Sequence, residues 1–315
     1  MHPLRDQLRA LAEQGHGVIL TADLRRLGLD PAERASVAKS LVPIRRGAYA
    51  LDEPADAVAE HLLRTRAALG QASRRAAASH VSAAVTLGLP VPAEFLGVVH
   101  LRVASARARV GTRHGVHTHA GLEEVGASML PDGRLVTDAT ATVLDCARML
   151  PHTDSVVLAD AALNQGLIDL EVVQGALRRL SRHRGVAAAR RALAMADAGA
   201  ESVGESRTRL ILVAAGFDVE TQVELRDELG RFVARVDLKL RDAPVVIEFD
   251  GRAKYSLDGD AKGAHWRDKV RNDRIGNLGF ERVRVWWNRL AQPAEIVRDV
   301  ERARARALGR LSPER

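Results

Sequence analysis

Two short runs constrain this chain more than any others. In RFVARVDLKL (231–240), Phe232, Ala234, Val236, Leu238 and Leu240 alternate with Val233, Arg235, Asp237 and Lys239. In PVVIEFDG (244–251), Val245, Ile247 and Phe249 alternate with Val246, Glu248 and Asp250. A period of two is the signature of a strand with one apolar face. The connector RDAP is turn chemistry, so the two runs are expected to pair as a hairpin. Symmetry about residues 242 and 243 sets Asp237 opposite Glu248, with Asp250 two residues further on the same face. Carboxylates gathered on one sheet face repel one another. Two arrangements tolerate that. A hard divalent cation can neutralise the cluster, polarise a phosphodiester and acidify a bound water. Alternatively the face is solvated, with Arg235 and Lys239 as counter-charges.

The rest of the 315-residue chain falls into three segments by texture. Residues 1–52 are short helical patterns ending in a basic turn. Residues 53–198 are Ala-rich and read as mostly helical, with β-like runs in 96–119. Residues 199–310 read helix, three strands, helix, strand, helix. The small polar stretch DAGAESVGES (197–206) marks the main boundary. The net charge of +7 favours polyanionic partners, nucleic acid first. It is spread over all three segments, so local placement decides. One cysteine excludes a disulfide framework and fits a reducing cytoplasm. No run approaches the length of about 18 apolar residues that a membrane span needs. Cys146, on the apolar side of its helix, reads as a small core residue rather than a nucleophile.

In the first segment Leu4, Leu8 and Leu11 fall at helical spacing. Thr21 is placed to cap a second helix, and Asp30-Pro31 starts a third. That third helix is expected to bury Ala35, Ala38, Leu41 and Val42 and to present Arg34, Ser36 and Lys39. A β-turn bearing Arg45 and Arg46 follows. Helix, short helix, helix and basic wing make a winged helix-turn-helix. Its third helix enters the major groove, and the wing arginines hold phosphates. The same small fold also serves protein–protein contact. The stretch HGVILTADLRRLGLDPAERASVAKSLVPIRRGAYAL (16–51) resembles the N-terminal domain of AbiEi-type antitoxins. ASHVSAAVTLGLP (78–90) and LVTDATATVLDCARML (135–150) resemble the helices that follow it in those proteins, with Ala141 where they carry arginine. In the second stretch Thr137 or Asp138 is the expected helix cap, and Asp145 a polar anchor. His117 and His119 share one face of a predicted strand. Two histidines fall short of the three or four ligands that zinc takes, and only Glu123 and Glu124 are near, so they read as surface residues.

Residues 200–290 resemble the PD-(D/E)XK nuclease superfamily, in particular relatives of the very-short-patch-repair (Vsr) endonucleases. The resemblance runs through ESRTRLILVAAGF, with Glu205 as the first acidic position, then Gln222, Asp237 and VVIEFDG. It ends in RDKVRNDRIGNLGFERVRVWW, through Asp268, Arg271, Gly279 and Arg284. Two features depart from it. Asp250 stands where the superfamily has lysine, and Lys254 stands where these relatives have histidine. Lys254, or less directly Lys269, is left to steady transition-state charge. The basic helix and strand of 264–291 also carry Trp266, Trp286 and Trp287, a pairing suited to backbone contact and base stacking. One of the adjacent tryptophans is expected in the core and the other near the site.

The resemblances together imply an α/β multidomain chain. Its parts are a winged helix-turn-helix (1–52), a mostly helical AbiEi-like middle (53–198) and a restriction-endonuclease-like domain with a mixed sheet (199–310). They imply a cytoplasmic, Mg2+- or Mn2+-dependent DNA endonuclease acting on duplex DNA. Asp237 and Glu248 would hold the metal. Asp250, Glu205, Gln222 and Lys254 would complete the site. Arg34, Ser36, Lys39, Arg45, Arg46, Arg271 and Arg284 would contact DNA. The competing reading is an antitoxin-like DNA-binding regulator with a catalytically silent nuclease fold and a cognate toxin or regulatory protein as a further partner.

Overall fold

The computed structural model describes residues 2–72, 75–104, 109–121, 126–180, 183–251 and 261–311. They form a mixed α/β chain of two compact units, 1–158 with 166–194, and 159–165 with 195–315. Among the described residues, no helix is long and apolar enough to cross a membrane.

The first unit opens with α1 (His2–Gln14), β1 (Ile19–Leu20), α2 (Thr21–Arg26), α3 (Pro31–Lys39), β2 (Val42–Arg45) and β3 (Ala48–Ala50). Asp30 caps α3 through the amides of Ala32 (2.7 Å) and Glu33 (2.8 Å), and Glu33 accepts the Asp30 amide in return, so the Asp-Pro start is realised as a capping box. Thr21 does not cap α2. It is the first helical residue, and its hydroxyl donates to the Gly47 carbonyl at 3.2 Å, while Asp23 accepts the Leu20 amide. The expected burial along α3 is also corrected: Leu41 is buried, but Ala35 is exposed and no residue within α3 is fully buried. The helix touches the core through the partly buried Val37, with Arg34 and Ala38 also half-buried and its other residues exposed. The strands pair in the order β1-β3-β2, and Gly47, at φ +73°, closes the β2–β3 turn in a conformation that suits glycine. Helix α4 (Ala57–Gln71) packs against this sheet, with Val18, Ala48 and Ala67 sharing one buried cluster. Residues on either side of position 52 therefore belong to one core.

Beyond α4 the chain is richer in sheet than its composition suggests. It forms β4 (Ala76–Ala78), α5 (His80–Thr86), β5 (Val99–Val103), β6 (Gly111–Arg113), β7 (Val116–His119), β8 (Ala127–Met129) and β9 (Leu135–Thr137). The six strands assemble in the order β6-β7-β5-β4-β9-β8. An all-alanine strand such as β4 has helix propensity, but it lies between β5 and β9 with all three residues buried, and packing overrides propensity. Next come α6 (Ala139–Ala147), α7 (His152–Asn164), α8 (Leu170–Arg179) and α9 (Val186–Leu193). Asp138 caps α6 through the Ala141 amide, and Cys146 is fully enclosed, its thiol pKa pushed well up by burial.

The second unit contains α10 (Val203–Ala214), β10 (Val219–Arg226), β11 (Phe232–Leu240), β12 (Val245–Asp250), α11 (Ala261–Asn277), β13 (Glu281–Trp286) and α12 (Pro293–Leu311). The sheet order is β10-β11-β12-β13, antiparallel except for the β12–β13 pair, which is parallel across the α11 crossover. Leu238, Leu240, Val245, Ile247, Val283 and Val285 pack with Leu212 of α10 and Ile296 and Val300 of α12. Ala234, Val236 and Val246 pack instead with Leu225 and Ile275 of α11. Residues of one parity on β11 thus serve two cores, and Phe232, expected on the apolar face, is exposed. The changeover falls at Asp237. Neither ladder includes it: β10 pairs Thr221 with Leu238 and Val223 with Val236, stepping over Gln222, whose φ is +51°.

Candidate functional site

The N-terminal surface presents Ser36, Lys39 and Arg46 exposed. Arg34 is more confined, its guanidinium donating to the Leu29 carbonyl at 2.5 Å. Arg45 is half-buried, and burial together with neighbouring Arg64 lowers its pKa. Gln71 of α4 donates to the Arg46 carbonyl at 2.9 Å and pins the turn that carries both arginines. A capped, largely exposed helix beside a basic hairpin has the form in which a protein offers side chains to a groove and cations to phosphates.

In the second unit the observed register, Leu238 opposite Ile247 and Lys239 opposite Val246, is the one that hairpin symmetry gives. The ladder ends there. Asp237 instead turns its side chain to the neighbouring strand and accepts the Phe249 amide at 2.8 Å. The Asp237 carboxyl is raised to about 6, chiefly by burial and then by Glu205 and Glu248, against the lowering effects of the Phe249 amide and Arg271. Glu248 is buried and lies between two guanidiniums, Arg271 at 2.5 Å and Arg282. Arg271 also donates to the Arg235 carbonyl. The counter-charges expected from Arg235 and Lys239 are spent elsewhere, on Glu201 and Glu220. Glu205 is buried at the start of α10. Its two oxygens accept from Ser202 Oγ (2.8 Å), the Glu201 amide (3.0 Å) and Gln222 Nε2 (2.9 Å). A Cβ on Gly204 would meet the Phe249 ring at 2.0 Å, so glycine lets this end of α10 approach β12.

The structure therefore brings Glu205, Gln222, Asp237 and Glu248 into one neighbourhood. Asp250 stands beside β13, where Trp286 Nε1 donates to it at 3.3 Å. Neither adjacent tryptophan is fully buried: Trp286 is half-buried, and Trp287 is exposed and meets Phe249 edge-on at 5.1 Å. Arg284 pairs in register with Glu248 across β12 and β13. Lys254 lies outside the described residues, as do Glu123 and Glu124.

A second constellation, in the first unit, corrects the reading of His117 and His119 as ordinary surface residues. Parallel pairing of β5 with β7 sets His100 opposite His117 and Arg102 opposite His119. His80, first residue of α5, stacks on His119 with ring centroids 3.7 Å apart, and His100 Nδ1 lies 3.0 Å from His119 Nε2. His80 and His100 are buried, and all four rings stand within stacking range of a neighbour. Asp145 lies 3.5 Å from His80 Nδ1 and is ion-paired to Arg102 (2.5 Å) and Arg148 (3.6 Å). The only sequence signal for this cluster was the two-residue spacing of His117 and His119. His80 and His100 arrive from other elements.

Residues 6–51, which span most of α1 through β3, are similar to the family described as "Transcriptional regulator, AbiEi antitoxin". Two Mycobacterium tuberculosis proteins, uncharacterized protein Rv2248 and uncharacterized protein MT2308, are each 30% identical to this chain over 215 residues. The match covers 65% of this chain and 75% of each mycobacterial protein. With that identity over three quarters of their length, the chain belongs to the same family as these two mycobacterial proteins.

Proposed function

We propose that the protein is a DNA-binding transcriptional regulator of the AbiEi antitoxin type, and that its second unit carries a nuclease-like fold that does not cut. The observation that carries this reading is the similarity of residues 6–51 to AbiEi regulators over the element order helix, strand, helix, helix and hairpin, with α3 exposed. That order is the one a winged helix requires. Duplex DNA is the partner we assign, and a cognate toxin is a second partner compatible with the similarity.

A metal-dependent endonuclease is the second reading. It is favoured by the helix, three strands, helix and parallel strand of the second unit and by the proximity of Asp237, Glu248 and Glu205. The residues present do not fit magnesium as they stand. Glu248 faces two guanidiniums, both Glu205 oxygens accept hydrogen bonds, and Asp237 holds the Phe249 amide. A hard cation takes six or more oxygens, including carboxylates free to turn toward it. Arginine neutralisation of the acidic face supports the silent reading.

The test is fluorescence anisotropy of the full chain on labelled duplex DNA over a salt series, beside plasmid cleavage in magnesium or manganese. The regulator reading expects binding that weakens linearly in log–log form with salt, a shallower slope for Arg45→Ala/Arg46→Ala, and intact plasmid. Cleavage by wild type that Asp237→Ala abolishes would replace it with the nuclease reading. Absence of DNA binding by the full chain would overturn both.

A further inference from the structure

We propose that His80, His100 and His119 form a transition-metal site in the first unit, selective for zinc or a similar imidazole-preferring divalent ion. One ligand nitrogen from each of the three lies within 4.8 Å of the other two. Zinc with metal–nitrogen bonds near 2.0–2.1 Å sets its tetrahedral ligand atoms about 3.3 Å apart, and His100 Nδ1 and His119 Nε2 are at 3.0 Å. The three ring nitrogens are thus close enough to share one ion once the stacked rings of His80 and His119 tilt toward it.

Buried histidines are ordinarily explained by hydrogen bonding, and His61 of the same unit shows what that looks like. Its Nδ1 contacts the Leu96 carbonyl at 2.8 Å and its Nε2 contacts Ser82 Oγ at 2.9 Å. His100 and His119 instead turn nitrogens toward one another, and His80, whose Nδ1 contacts Ser79 Oγ at 3.1 Å, stacks on His119. A neutral imidazole carries one N–H and one lone pair, so a single N–H···N contact between His100 and His119 leaves the cluster rich in acceptors. Burial and mutual repulsion keep all three neutral at pH 7, with His80 displaced furthest, His119 lowered to about 3 and His100 to about 4. Neutral imidazole is the metal-binding form.

Two further features fit. His80 is held at φ +51°, a left-handed conformation that costs energy for a residue with a side chain and concentrates at functional sites. Asp145, beside His80 Nδ1, is the kind of carboxylate that orients a ligating histidine. Arg102 and Arg148 are the cations that face the cluster, and both are ion-paired to Asp145. Asp145, Arg102 and Arg148, rather than the clustered histidines themselves, line an adjoining cleft of about 370 Å³ with Asp138, Arg179 and His183. A positive setting of this kind favours an anion as the fourth ligand, so the site suits three protein nitrogens and one exchangeable position.

The experiment is calorimetric titration of metal-free full-length protein with zinc alone, for wild type, His100→Ala, His119→Ala and the exposed control His152→Ala. The proposal expects one zinc per wild-type chain, unchanged binding by His152→Ala, and affinity lower by about 100-fold or more in the two cluster variants. No uptake by wild type, or equal uptake by all four proteins, overturns it. Because a substitution in a buried cluster can unfold the unit, cobalt(II) added to wild type gives a readout that needs no variant. Intense visible absorption of four-coordinate cobalt supports the site, and the faint spectrum of hexaaqua cobalt overturns it.

Discussion

Asp237 offers the sharpest test of how the acidic face of the second unit is organised. Its carboxyl is raised from the ordinary value of 3.8 to about 6, chiefly by burial and then by Glu205 and Glu248. A group whose folded pKa lies above its unfolded value stabilises the fold most when protonated. Its contribution is full below pH 4 and is lost as pH rises through 6. The difference corresponds to about 2–3 kcal/mol by linkage. Asp237→Asn keeps an oxygen for the Phe249 amide and removes the charge. The variant is expected to be about 2 kcal/mol more stable than wild type at pH 7.5, with the gain vanishing near pH 4. The assay is urea unfolding followed by tryptophan fluorescence. Trp266, Trp286 and Trp287 all belong to the second unit, so the signal reads that unit alone. A variant less stable than wild type at pH 7.5, or a gain independent of pH, would refute the reasoning. Stabilisation of wild type by millimolar magnesium, absent in the variant, would return the site to the nuclease reading.

Other outcomes follow from the same geometry. Glu248→Gln removes the carboxylate charge that faces Arg271 and Arg282 and should cost about 3 kcal/mol by the same fluorescence measurement, most of it at the less exposed Arg282. A stabilised variant would mean that carboxylate repulsion outweighs the ion pairs. Asp160 is wholly buried and meets Arg209 at 2.8 Å, so Arg209→Met should cost about 3–5 kcal/mol, and adding Asp160→Leu should recover much of it. In the first unit, His61, His80, His100 and His119 all have depressed pKa values through burial. The unfolded chain then takes up protons first, so stability falls as pH drops below about 6.5. Hydrogen exchange at β5 and β7 should show protection lost between pH 7 and pH 5 after correction for intrinsic rates, and undiminished protection would contradict it.

What could be read in advance was local. The Asp-Pro start of α3, the β11–β12 register and the Asp138 cap each depend on residues within a few positions of one another, and each is where the pattern puts it. What escaped depends on partners far apart in the chain. Arg282 reaches Glu248 through a parallel crossover, and no spacing rule announces that a strand arginine will serve a carboxylate on the preceding strand, 34 residues earlier in the chain. The histidine cluster needs β5 beside β7 and α5 over both. From the sequence alone, only His117 and His119 had a shared face. The all-alanine β4 is the reverse case, a segment whose local preference is overruled by its place in the sheet.

The changeover in β11 at Asp237 has a consequence for how substitutions combine. Ala234 and Val236 answer to Ile275 of α11, while Leu238 and Leu240 answer to Leu212, Ile296 and Val300 of α10 and α12. Residues two apart on one strand, which in an ordinary sheet would share a core and interact, here sit in separate packing environments. Paired changes such as Val236→Ala with Leu238→Ala should add, whereas Val236→Ala with Ile275→Val should not, since contacting residues couple by about 0.5–3 kcal/mol and independent ones do not. Sequence drift on the two sides of this sheet is thereby uncoupled, and each helical layer can be rebuilt without consulting the other.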